Sequence, residues 1–172
     1  MKKQLLIITA AIMSITVFAQ MPGVAGRPVN KNTKLPEGWL VQAQKADKET
    51  VVVSQNDQGK TVSVTFNPVK RSGVFFYPGN ALKSSKGDTF KLEAKVKGTG
   101  KVAFGYFGYG AGNKFLFFKK GTLIELNGME QAISDKLTVK DGKEYATAAI
   151  RPAVIIPQGS VCEIYDVKFT EE

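Results

Sequence analysis

Twice in this chain, apolar and polar residues alternate with a period of two across a whole segment. In TVSVTF, Val62, Val64 and Phe66 alternate with Thr61, Ser63 and Thr65. In FKLEAKVKG, Leu92, Ala94 and Val96 alternate with Lys91, Glu93, Lys95 and Lys97. Successive side chains fall on opposite faces only in an extended strand, so each segment reads as a strand with one buried and one wet face. ETVVVS, GVFFYP, KVAFGYFGY, KFLFF, TLIEL, KLTV, YATAAIRPAVIIP and VCEIYDVKF are further strand candidates, rich in β-branched and aromatic residues. Turn signals separate them: QNDQGK, YPGN, SSKGD, KGTGK, GAGN, KKGT, KDGK and PQGS, with Asp141-Gly142 suited to a tight hairpin. GMEQAISDKL alone carries helical spacing, in Met129, Ala132, Ile133 and Leu137, and predicts a short helix. Roughly ten short strands punctuated by turns predict an all-β chain folded as an antiparallel β-sandwich, with jelly-roll topology.

Three regions precede or make up that fold. Residues 1–19 combine Met1-Lys2-Lys3, an apolar run from Leu5 to Phe18, and Val17 and Ala19 at the −3 and −1 positions, which describes a secretory signal peptide cleaved after Ala19. The run is shorter than the roughly 20 residues that span a bilayer. Residues 20–34 are rich in Gly, Pro and Asn without periodicity and read as a flexible leader. Residues 35–172 form one domain, expected in a secreted or periplasmic setting. Cys162 is the sole cysteine, so packing rather than an intrachain disulfide must hold the fold, and its alternating surroundings suit a buried apolar residue.

Much chemistry is excluded by composition. With no histidine, Ser-His-Asp and Cys-His catalysis and histidine metal sites are absent. No serine has a lysine three positions on. GYGAGN resembles a nucleotide-binding glycine loop, but a strand-like run, KFLFF, follows where a dinucleotide fingerprint needs a helix. No pair among the 15 Asp and Glu stands out as a glycosidase dyad. The net charge of +9 is spread over strands and turns rather than gathered with aromatics as in a nucleic-acid site. The chain therefore reads as non-catalytic, without nucleic acid as partner. Asp166, within the last strand, either faces water or binds a metal.

The remaining signal is aromatic. In VAFGYFGYG, Val102, Phe104 and Tyr106 point one way and Ala103, Phe107 and Tyr109 the other, with Gly105 leaving a gap. In GVFFYPG, Phe75 and Tyr77 share a face opposite Phe76. Rings of this kind either fill a sandwich core or stack on the C–H faces of sugars. Tyrosine, whose hydroxyl wants a partner or water, divides more evenly between the two than phenylalanine does.

LPEGWLVQ, then GDTFKLEAKVKGTGKVAFGYFGYG, then AAIRPAVIIPQGSVCEIYDVKF together resemble the jelly-roll, galactose-binding-like carbohydrate-binding modules over about residues 35–170. The resemblance lies in the Leu-Pro-x-Gly-Trp opening, the Gly-Asp strand, the Arg-Pro strand and the closing strand. It implies a secreted domain that binds a glycan or polysaccharide without catalysis. The closing strand of the family carries an Asp-Asp pair where this chain has Tyr165-Asp166, so Asp166 is the residue left for a structural calcium, and no other cofactor is implied. The candidate ligand residues are Tyr77, Tyr106 and Tyr109 for stacking, Arg151 for hydroxyls or an acidic group, and Trp39, whose motif also suits packing. The competing expectation is a cell-envelope protein whose basic face contacts an anionic polymer or a protein partner.

Overall fold

A computed structural model describes residues 20–21, 24, 27–42, 51–55, 62–66, 73–85, 87–139 and 146–172. The expected signal peptide and the Asp141-Gly142 hairpin lie outside these residues. The strands are β1 (Gln20–Met21), β2 (Trp39–Gln42), β3 (Val51–Gln55), β4 (Val62–Phe66), β5 (Val74–Pro78), β6 (Leu82–Lys83), β7 (Thr89–Tyr109), β8 (Phe115–Asn127), β9 (Gln131–Thr138), β10 (Ala149–Ile156) and β11 (Val161–Glu171).

All strand pairings are antiparallel, and β7 organises them. Its first half, Thr89 to Thr99, lies between β9 and β11. Its second half, Thr99 to Tyr109, lies between β8 and β10. One layer therefore runs β9-β7-β11-β4-β3 and the other β8-β7-β10-β5-β2, with β7 passing from one to the other. This is an antiparallel β-sandwich of jelly-roll type.

The passage occurs at KGTGK, which is not a turn as its glycines predicted but the bend of a continuous strand. Gly100 has φ +86, and a Cβ there would lie 2.6 Å from Ser160 Oγ. The bare backbone lets that hydroxyl accept a 2.8 Å hydrogen bond from the Lys101 N–H. KKGT is likewise strand interior, within β8. GMEQAISDKL is the other correction: Gln131–Thr138 is a strand on the edge of β7, with Ile133 and Leu137 buried. A spacing of four fits both a helix face and a strand face, and pairing with β7 selects the strand. GAGN does turn the chain between β7 and β8, closed by a 2.9 Å bond from the Gly110 N–H to the Lys114 carbonyl. Within 20–34, the described residues touch the sandwich: Gln20 and Met21 pair with Thr170 and Phe169, and Val24 is fully buried.

The core lies between the layers. Val62, Val64 and Phe66 of β4 and Leu92, Ala94 and Val96 of β7 face Val74 and Phe76 of β5 and Phe104 of β7. Rings from the two layers meet: Phe66 and Phe76 lie 5.5 Å apart between centroids, and Trp39 and Phe169 6.0 Å apart. Each such fully buried side chain contributes about 1.5–3 kcal/mol. Cys162 is buried among them.

Candidate functional site

The ladder between β5 and β10 ends at Val154 and Phe76. Beyond it stand Pro78 on β5 and Pro152 on β10, neither with an N–H to continue the ladder. Arg151 sits past that end, on the outward face of the β8-β7-β10-β5-β2 layer.

Cross-strand neighbours share a face, so register locates the outward side chains. Arg151, Phe107 and Phe118 form one row across β10, β7 and β8. Ala149, Tyr109 and Phe115 form the next. Phe75 and Tyr77 alternate outward on β5, opposite the buried Val74, Phe76 and Pro78. Phe107 is the hub, with ring centroids 4.8 Å from Phe118, 5.9 Å from Phe75, 5.9 Å from Tyr77 and 6.4 Å from Phe115. Phe75 meets Phe118 edge-on at 5.4 Å, and Tyr109 meets Phe115 at 6.2 Å. Phe115 is 55% exposed and Phe118 37%, with Leu40 and Leu123 also exposed on this face. Several large apolar side chains on this one face are thus left in contact with water.

The floor beneath the rings is small. A Cβ at Gly105 would lie 2.7 Å from Ile155 Cδ1 and 2.8 Å from the Lys119 carbonyl, with Phe118 Cε2 at 3.3 Å. Gly105 thus lets Phe118 and Ile155 lean over β7.

Arg151 is the polar centre of the face. Its Nη1 donates a 3.0 Å hydrogen bond to the Tyr109 hydroxyl. Its guanidinium carbon lies 5.0 Å from the Tyr109 ring centroid and 5.6 Å from that of Tyr77, within cation–π range of both. Among the described residues its buried Nε–H meets no acceptor.

Of the residues expected at a site, Tyr77, Tyr109 and Arg151 come together here. Tyr106 and Trp39 do not. Tyr106 is 2% exposed and shares the inward side of β7 with Val102 and Phe104. Its hydroxyl donates to the Thr138 carbonyl at 3.4 Å, and burial raises its pKa. Trp39 stacks on Phe76 at 4.5 Å within the core. Phe75, Phe107, Phe115 and Phe118 were not among the expected site residues. The alternation that puts Phe75 with Tyr77 and Phe107 with Tyr109 marks two of them in the sequence.

Asp166 lies elsewhere, on the other layer. It occupies the left-handed region at φ +58, where the register of β11 against β7 shifts. Its carboxylate is 3.9 Å from Lys95 Nζ and borders a cavity of about 220 Å³ with Glu93, Ser134 and Lys168. Among the described residues, no three acidic or cysteine side chains converge on a point. The lysines of that layer are largely paired, Lys91 with Glu93 at 2.8 Å and Lys136 with Glu172 at 2.7 Å. No helix among the described residues is long and apolar enough to cross a membrane.

No model of a known protein family matches the chain, and no curated protein matches its sequence. Solved structures do match. The CBM22-1 xylan-binding domain from Paenibacillus barcinonensis Xyn10C aligns at a TM-score of 0.57 and 7% identity, over 90% of this chain and 95% of that one. The two share a β-sandwich fold. The arabinose-bound MgGH51 α-L-arabinofuranosidase aligns at 0.57 and 15% identity, over 86% of this chain and 25% of the enzyme. A cyclase from Fischerella sp. TAU aligns at 0.50 and 10% identity, over 91% of this chain and 98% of that one. The chain spans only 20% and 25% of the larger chains it matches. At such identities the likeness is one of fold, shared by binding domains and enzymes alike.

Proposed function

We infer that this chain is a secreted, non-catalytic carbohydrate-binding domain, and that its ligand lies on the outward face centred on Phe107. The observation that carries this reading is the cluster of Phe75, Tyr77, Phe107, Tyr109, Phe115 and Phe118 on one sheet face around Arg151. Sugar rings present C–H faces to such rings, while the tyrosine hydroxyls and the guanidinium bond ligand oxygens. A glycosidase would need two carboxyl groups about 5–10 Å apart across the bound sugar. Among the described outward strand positions of this face the carboxylate is Glu125, tied to Lys101 at 2.9 Å. Secretion rests on the signal-peptide pattern of residues 1–19.

The test is affinity electrophoresis of the full chain through gels carrying soluble plant and microbial polysaccharides, beside Phe115→Ala and Phe118→Ala. Retardation by at least one polymer, lost in the variants, supports the reading. No retardation by any polymer, with the fold intact, overturns it. Retardation that survives both substitutions and vanishes with salt favours the alternative, an envelope protein whose basic surface holds an anionic polymer.

A further inference from the structure

The ring face carries more cationic donors than carboxylates, with the Gln42 amide opposite Phe75 as a neutral acceptor. Its outward strand positions carry Arg151, Lys83 opposite Ala149, and Lys120 opposite Gly105. Glu125, the outward carboxylate among the described residues, is spent on Lys101. A neutral sugar is mostly hydroxyls, which donate as well as accept, and a site for it wants carboxylate or amide acceptors. Here Arg151 has donors to spare after its bond to Tyr109, and among the described residues its Nε–H meets no acceptor. Among the described residues it has no carboxylate partner. A partly buried guanidinium without a counter-charge is costly, and the two tyrosine rings offset only part of that cost. The surrounding apolar rings exclude water and so strengthen its attraction for an anion.

We propose that the face takes an anionic glycan, and that Arg151 pairs with the carboxylate or sulfate of a sugar unit held against Tyr77 and Tyr109. The planar guanidinium matches either oxyanion, and Lys83 and Lys120 add positive potential on the same face. This rests on the carbohydrate reading above and names the ligand class within it.

The test uses the full chain against matched polymers: polygalacturonate and its methyl ester, and dextran sulfate and dextran. Each pair keeps the sugar ring and removes the charge. The expected result is at least ten-fold tighter binding to one charged member. That preference falls to near unity in Arg151→Gln and is partly kept in Arg151→Lys, with thermal unfolding confirming that both variants fold. Preference for polygalacturonate assigns a carboxylate, and preference for dextran sulfate a sulfate ester. Should Arg151→Gln not fold, Lys83→Gln combined with Lys120→Gln must reduce the preference by at least three-fold. Equal binding of charged and uncharged members overturns the proposal and leaves the carbohydrate reading standing. Binding to no polymer in these or a wider neutral set overturns both. Charged-polymer binding indifferent to Arg151 and to Phe118→Ala also overturns it, since diffuse surface charge would then be the cause.

Discussion

Phe107 and Phe118, paired across β7 and β8, hold their rings 4.8 Å apart at 39°, and every outward ring except Tyr109 touches one of the two. Removing Phe107 should therefore disperse the whole cluster. Phe107→Ala is expected to weaken polysaccharide binding at least ten-fold. It should lower stability by only about 1–2 kcal/mol, less than the 3–5 kcal/mol of a fully buried Phe→Ala change. Affinity electrophoresis and urea unfolding on one preparation measure both.

Trp39 and Phe115 should separate in the opposite senses. Trp39→Ala empties a core position 2% exposed and stacked on Phe76, so it should cost about 3–5 kcal/mol while the folded fraction binds normally. Phe115→Ala, at a residue 55% exposed, should change stability by about 0.5 kcal/mol or less and still weaken binding. Denaturant midpoints and binding isotherms for the pair decide it.

Gly105→Ala should damage the face without deleting a ring. The added methyl meets backbone, the Lys119 carbonyl at 2.8 Å, and this cannot rotate away. A loss of about 1–3 kcal/mol is expected from this overpacking, with weaker binding as Phe118 is displaced. An unchanged binding isotherm would show that β8 can slide to make room.

Cys162 gives the chain an alkaline limit. Burial, aided by Glu163, pushes its thiol from 9.0 up to about 12. The folded state thus keeps a proton that the unfolded chain releases. Its stability contribution is complete below about pH 9 and falls as pH rises toward about 12, by at most about 1.4 kcal/mol per pH unit. Buried Tyr106, its pKa raised from 10.0, acts in the same direction. Melting temperatures from neutral pH upward should fall less steeply in Cys162→Ala than in wild type. Thiol reagent at about pH 8 should label Cys162 only after unfolding.

The strands and their faces were legible because the burial boundary coincides with the period of two. Phe76 against Phe75 and Tyr77, and Tyr106 against Phe107 and Tyr109, could all be sorted by parity alone. Parity separated the two faces of β7 without saying which was the core, so Tyr106 stood among the expected ligand residues until burial placed it inside. Phe115 and Phe118 were hidden because a register shift between Gly108 and Tyr109 breaks the simple count along β8. The helix expected around Ile133 and the turn expected at KGTGK failed for a common reason. Both were judged from local spacing and glycine content, whereas a neighbouring strand supplied the pairing that overrode them.

Along the second half of β7, even positions Val102, Phe104 and Tyr106 hold the layers together, and odd positions Phe107 and Tyr109 meet the solvent. The outward rings can therefore be exchanged at less cost to the fold than the core residues between them. Along a single strand, the fold and the outer surface thus answer to alternate residues.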